Sequence, residues 1–238
     1  MRSISTKTIQ GQGKRPEQQD AFFPPRSVDE QCVYVLCDGV GGSAGGKLAA
    51  QVVAGSFWVG SHRHRNEKDL LQIAERSLDL AMARLANIQS PDRPRPATTL
   101  ASVSLGEETA LAFWIGDTRI YHLRNGEILW RSEDHNLAHH MIRTGVIDER
   151  SARTHSSRKI LLRSVNAERE YSIPDHHILD DLRPGDHLVL SSDGIFEGIM
   201  ESDLAPLSGP ESDKVLELIE QQCQLLSSDN YTLLDIRL

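Results

Sequence analysis

The sequence predicts an α+β fold, and three features of its pattern lead there. Two helical stretches stand back to back between residues 45 and 89, with no strand between them. Four short β-like runs then follow one another between residues 98 and 132. Strand and helix rarely alternate, so the repeating unit of a doubly wound parallel sheet is missing. No internal repeat, low-complexity tract or composition shift divides the 238 residues, so the expectation is one domain spanning 1–238.

The elements follow in order. "SISTKTIQ" (3–10) alternates loosely and reads as a first strand, with the polar "GQGKRPEQQD" (11–20) as a turn after it. "QCVYVLCD" (31–38) is rich in β-formers and stops at a glycine turn, as a buried strand does. From Gly45 to about Trp58 a helix is expected, with Leu48, Val52, Val53 and Phe57 sharing a face. "EKDLLQIAERSLDLAMARLANIQ" (67–89) is a second helix, because Leu70, Ala74, Leu78, Ala81, Met82 and Leu85 recur at three and four residues. The proline-rich "SPDRPRP" (90–96) ends it. "TTLASVSL", "TALAFWIGD", "RIYHLRNG" and "EILWRS" then read as an antiparallel meander, with "RNG" a hairpin turn. "NLAHHMIRTG" (136–145) is helical and closes at Gly145. Residues of about 145–170 are polar, Arg-rich and aperiodic, the pattern of a mobile surface flap. "HLVLSSDG" (187–194) is another buried strand, residues 212–226 a helix, and "NYTLLDIRL" (230–238) a closing strand.

Composition excludes some functions. The formal net charge of −8 offers no basic surface to nucleic acid or to an anionic membrane. Cys32, Cys37 and Cys223 lack CxxC spacing, and an odd count argues against a disulfide framework. The opening "MRSISTKTIQGQGKR" has no apolar core, and no run approaches the ~20 apolar residues that span a bilayer. A cytoplasmic protein is the expectation.

Chemistry concentrates in carboxylates at strand ends. Asp38 ends "VYVLCD", Asp117 ends "AFWIGD", Asp193 ends "LVLSSD", Asp229 precedes "NYTLLDIRL", and Asp20 ends the first polar turn. Any one of them could be an ordinary turn residue, and Asp117 could simply cap the turn before "TRIYHL". Gathered by a sheet, they would raise one another's pKa unless cations neutralised them. Hard divalent ions such as Mg²⁺ or Mn²⁺ take such oxygen ligands, and a pair of them can activate water beside a phosphorus atom. The histidine pairs His139-His140 and His176-His177 do not read as chelators, because neighbours on a helix face different ways. His135 and His139 have one-turn spacing, but His135 falls before the helix. Trp58, Trp114 and Trp130 sit in apolar patterns and read as core.

An ordered set of motifs resembles the metal-dependent serine/threonine protein phosphatases of type 2C: "RPEQQDAF", "CDGVGGSAGGKLAA", "ATTL", "WIGDTRIYHLRNGEI", "EDHNL", "SSDGIFEGI" and "DNYT", from about Arg15 to Thr232. The resemblance implies a four-layer αββα sandwich, two mainly antiparallel sheets flanked by helices. It implies two Mn²⁺ or Mg²⁺ ions, with Asp38 bridging them and the Gly39 carbonyl as an additional ligand, Asp193 and Asp229 on the second ion, and Asp20 contributing directly or through water. Asp117 matches the position that helps hold a third ion, and Arg15 the arginine that binds substrate phosphate. Implied too are direct in-line attack by a metal-bridging hydroxide, phosphorylated Ser/Thr proteins as substrates, a cognate Ser/Thr kinase whose action is reversed, and a monomeric bacterial stand-alone chain.

The sequence also departs from the pattern. Gln18 stands where Asn is usual, Gln19 where some members have Glu, Lys47 where Glu is common, and Val40 where many animal members carry His. None of these removes Arg15 or a carboxylate that the resemblance assigns to metal. Two rival readings follow from the same segment and fold. Gly41, Gly46 and Lys47 imitate a phosphate-cradling P-loop of an ATPase or kinase, although Leu48 stands where that loop needs Ser or Thr. A catalytically silent phosphoprotein-binding module would keep the fold but lose metal carboxylates, which are present.

Overall fold

The computed structural model describes residues 4–23, 33–40, 44–63, 69–89, 95–106, 108–152 and 155–238. Its strands are β1 (Ser5–Gly11), β2 (Ala21–Phe23), β3 (Val33–Cys37), β4 (Leu100–Leu105), β5 (Ala110–Ile115), β6 (Arg119–Arg124), β7 (Glu127–Arg131), β8 (Asp175–Leu179), β9 (His187–Ser191) and β10 (Tyr231–Arg237). Its helices are α1 (Ala44–Arg63), α2 (Leu70–Ile88), α3 (Leu137–Arg143), α4 (Glu149–Ala152), α5 (Ile195–Gly198) and α6 (Ser212–Leu226). The strands form two antiparallel sheets, ordered β1-β10-β9-β6-β7 and β2-β3-β4-β5-β8.

Alternation along each strand builds four layers. In β3, Val33, Val35 and Cys37 pack against Ala49, Ala50, Val53, Ala54 and Phe57 of α1 and against the apolar stripe of α2. Tyr34 and Leu36 point the other way, into a core shared with Ile120, Leu188, Leu190, Leu234 and Ile236 of the facing sheet. That sheet's outer face, with Tyr121, Val189 and Leu233, packs on Leu216, Ile219 and Cys223 of α6. Both faces of the central strands are covered, which is why "VYVLC" is apolar without a break. The layers are thus helix, sheet, sheet, helix, the αββα sandwich that the resemblance implies.

Several expectations need correction. The four-run meander is two hairpins in different sheets: β4 pairs with β5, and β6 with β7. The chain changes sheet at Gly116, whose φ of +104° a side chain would resist. In α1 the buried face runs through Ala49, Val53 and Phe57, while Leu48 is 44% exposed. Small alanines let the helix approach the sheet, and Leu48 lies off that contact line. His176 and His177 lie on strand β8, not a helix, where neighbours also point to opposite faces. Trp114 is buried as expected, whereas Trp58 and Trp130 are only partly covered. The stretch after Gly145 carries α4 and a 3-10 turn at Ser156–Lys159, and it is tied to the sandwich by bridges Thr98–Val165 and Asn136–Leu161. Cys32 and most of the 90–96 connector lie outside the described residues. No described helix is long and apolar enough to cross a membrane.

Candidate metal centre

Strand register gathers the predicted aspartates at one end of the sandwich. Ala21 pairs with Cys37, so Asp20 and Asp38 leave adjacent strand ends. Leu100 pairs with Ile115, which places Asp117 beyond the same edge. Ser191 pairs with both Arg119 and Leu233, bringing Asp193 to that end from the other sheet. Gly11 pairs with Tyr231, which sets the Arg15 loop beside Asp229.

Hydroxyl groups fix the backbone and free the carboxylates. The Asp38 amide donates to Thr99 Oγ1 at 2.9 Å, and its carbonyl accepts from Thr98 Oγ1 at 2.7 Å and from the Thr99 amide at 2.8 Å. Asp38 therefore has its main chain fully engaged while its side chain faces the cleft's charges. Asp20 is buried, and its Oδ2 accepts from Thr232 Oγ1 at 2.7 Å and Ser192 Oγ at 3.0 Å. Glu197 accepts from the amides of Ser228 and Asp229 and so shapes the turn that delivers Asp229. Asn230 accepts from the Gln19 amide and donates to the carbonyls of Gln12 and Glu17, which pins the Arg15 loop against β10. Gly39 lies so close to Gly46 that a Cβ would stand 2.5 Å from the Gly46 carbonyl carbon, so only glycine admits this approach of α1.

The Gly116 turn is held from the other side. His135 Nδ1 accepts from the Gly116 amide at 3.1 Å, and the His135 amide donates back to the Gly116 carbonyl at 2.9 Å. Asp134 takes both arms of Arg119 at 2.7 Å and accepts from Asn136 Nδ2 at 3.3 Å. These residues of "EDHNL", with Thr98, Thr99, Ser192, Thr232 and Asn230, are functional supports to which sequence reasoning gave no role. Small hydroxyls flanking strand-end aspartates were the available signal. His135 and His139 do not form a metal site: His135 Nε2 meets Asp175 at 3.0 Å, and His139 Nε2 meets Glu133 at 3.3 Å.

Electrostatically the cleft is a store of unspent negative charge. Burial pushes Asp38 well above the ordinary carboxylate range, and the charges of Asp20, Asp193, Asp117 and Asp229 push it further. Burial and Asp193 raise Asp117, burial and Asp229 raise Asp193, and burial raises Asp20 against the pull of its two hydroxyl donors. Asp20 Oδ1 and Asp193 Oδ1 are buried without any hydrogen-bond partner, an arrangement proteins seldom leave uncompensated. Among the described residues no three Asp, Glu, His or Cys side chains form a finished cage for one ion. The carboxylates share a field rather than a point. Arg15 enters that field, donating to Asp229 Oδ2 at 2.5 Å, which raises its own pKa.

The four departures have local explanations or none. Gln18 donates to the Gly11 carbonyl and accepts from the Asp20 amide, so it is spent on backbone. Gln19 Nε2 and Lys47 Nζ both reach Glu17, at 3.0 and 3.4 Å. Lys47 thus pairs with a carboxylate, and Gly41 of the P-loop reading lies outside the described residues. Nothing in the structure explains Val40.

Residues 13–234 match the family description "Protein phosphatase 2C". The chain belongs to the protein phosphatase 2C family. It is therefore an enzyme, a protein phosphatase of the 2C type. A Streptococcus pyogenes protein, provisionally named as a 2C-type protein phosphatase, is 29% identical over 97% of this chain and 95% of its own length. The crystal structure of the PPM Ser-Thr phosphatase MsPP from Mycobacterium smegmatis, in complex with cacodylate, superposes with a TM-score of 0.82 at 27% identity over 99% of both chains. The catalytic domain of PstP in complex with two manganese ions shares the fold at 23% identity, with a TM-score of 0.79 over 98% of this chain and 97% of that one.

Proposed function

We propose that this 2C-type phosphatase is a single catalytic domain that hydrolyses phosphoserine and phosphothreonine in proteins, in a metal-dependent way, and so reverses a cognate Ser/Thr kinase. The observation that carries the reading is the convergence of Asp20, Asp38, Asp117, Asp193 and Asp229 at one end of the sandwich, with buried oxygens of Asp20 and Asp193 unsatisfied. An oxygen-only, strongly anionic set of this kind suits Mg²⁺ or Mn²⁺ and not the softer ions that prefer imidazole or thiolate. Asp38, the Gly39 carbonyl, Asp193 and Asp229 would hold two ions, Asp20 would contribute directly or through water, and Asp117 would serve a third. When bound, the ions supply Lewis-acid charge and activate a water for in-line attack at phosphorus.

The chain's own groups do the rest. Arg15, about half exposed beside Asp229, presents a planar donor fork to the phosphate oxygens. Thr98 and Thr99 keep the Asp38 backbone still while its carboxylate carries charge. Ser192, which donates to Asp20, is fully buried, and Cys37 is buried with burial beside Asp38 pushing its thiol up, so neither presents a nucleophile to substrate.

Hydrolysis of a phosphothreonine peptide by purified protein tests the reading. Turnover is expected with Mn²⁺ or Mg²⁺ and is lost with chelator, and Asp38→Asn abolishes it while circular dichroism stays that of the wild type. Turnover without metal, or an active Asp38→Asn variant, would overturn the mechanism. Tight phosphopeptide binding without turnover would instead indicate a silent phosphoprotein-binding module.

A further inference from the structure

A second cavity of about 400 Å³ shares a wall with the carboxylate cleft. Its apolar lining comes from Ala138 and Ile142 of α3, Ala152 of α4, and Phe196, Ile199 and Met200 at and just beyond α5. Phe196 joins it to the carboxylates, because the Phe196 amide donates to the Asp193 carbonyl at 3.0 Å. Arg119, two residues after Asp117, also lines it.

The polar members of the lining are largely committed to one another. Arg119 is held by Asp134 at 2.7 Å and Glu201 at 3.3 Å, with its guanidinium stacked 4.7 Å over the Phe196 ring. Arg131 reaches Glu201 at 3.1 Å. An incoming group therefore meets hydrocarbon framed mostly by paired charge, with Glu149 and Arg158 also in the lining. Met200 is 49% exposed, and neither Met200 nor Ile142 belongs to the packed cores of the sandwich. Large apolar side chains left open beside a reactive cleft are the mark of a binding surface.

We infer that this cavity is a specificity subsite that takes an apolar side chain of the substrate protein, close in sequence to the phosphorylated Ser or Thr. The inference rests on the phosphatase reading, because the occupant is defined by its tether to a phosphate held at the metal centre. Continuity with that centre through Phe196 and Arg119 argues for the substrate over any unrelated ligand.

The test compares two phosphothreonine peptides, one with Leu or Met within three residues of the phosphothreonine and one with Ser there. p-Nitrophenyl phosphate, which has nothing to place in the cavity, is measured alongside with Mn²⁺ present. Wild-type enzyme is expected to prefer the apolar-flanked peptide by about tenfold in kcat/KM, the scale of filling a hydrophobic pocket. Ile142→Asp and Met200→Asp are each expected to erase that preference, so the ratio of peptide to p-nitrophenyl phosphate kcat/KM falls about tenfold. A wild type without preference, or variants that keep it, overturns the subsite. If the variants keep the preference but lose a wild-type dimer seen by sedimentation, the groove belongs to a second copy of the chain. A wild type that hydrolyses neither substrate overturns the phosphatase reading, and the subsite with it.

Discussion

Arg15 donates to Asp229 Oδ2 at 2.5 Å, so the arginine proposed for phosphate and a carboxylate proposed for metal are each other's partner. With those proposed roles, phosphate and metal would each have to loosen that pair, which would couple their binding. The pair is partly exposed, so its own contribution to stability is small.

Arg15→Lys keeps the charge but loses the planar fork. Charge-assisted bonds of this type are worth about 1.5–3 kcal/mol, so kcat/KM on a phosphothreonine peptide should fall about 10- to 100-fold. Steady-state kinetics checks this, and calorimetric Mn²⁺ titration should change far less than kcat/KM.

Lys47→Met separates the phosphatase from the P-loop reading. The Lys47–Glu17 pair is partly exposed at 3.4 Å, so its loss should cost less than about 1 kcal/mol in urea unfolding. Metal-dependent hydrolysis should persist within about threefold, since surface changes of this kind are nearly neutral. A collapse of activity together with measurable nucleotide binding would revive the P-loop.

Gly116→Ala should destabilise the protein by about 2 kcal/mol, read as a lower urea midpoint. The position has φ +104°, and a Cβ there would stand 2.7 Å from Thr99 Cγ2. Thr99 holds the Asp38 amide, so metal affinity should weaken together with stability.

Asp186 anchors the pole of the sandwich opposite the carboxylate cleft. Burial alone would raise its pKa, but bonds from Arg124 at 2.6 and 2.7 Å, the Arg183 amide at 2.8 Å and His122 at 2.8 Å hold it below the ordinary range. Its stabilisation is thus complete above the unfolded-state pKa near about 4 and drains as pH falls through the lower folded value. Asp186→Asn should cost about 3 kcal/mol at pH 7, the scale of a broken buried ion pair. Urea unfolding should show the gap between variant and wild type shrinking as pH drops below about 4.

Much of this molecule is readable in its sequence, for reasons that residues make plain. β3 announces itself because both its faces are buried, and α2 because its inner face repeats at helical spacing. β8 does not, because it is an edge strand whose His176, His177 and Ile178 are exposed on both its faces and only Leu179 is buried. The meander misleads because alternation reveals a strand but not its partner, and the switch of sheets rests on the single glycine at 116. The aspartates stand out at strand ends. Thr98, Thr99, Ser192 and Thr232 do not, since a hydroxyl that holds a carboxylate or its backbone looks like any β-forming residue until the fold closes.

The pairing of β1 with β10 has a consequence for how the molecule comes into being. Asp20 waits for hydroxyls 172 and 212 positions further along the chain, and the Arg15 loop waits for Asn230. Such distant contacts form late, because a long loop must close before any of them is rewarded. During synthesis α1 and α2 can collapse on β3 to β5 well before β10 has emerged. On the proposed assignments, a chain that has not yet paired β10 lacks both Asp229 in place and the hydroxyl support of Asp20, so its carboxylate cleft is incomplete.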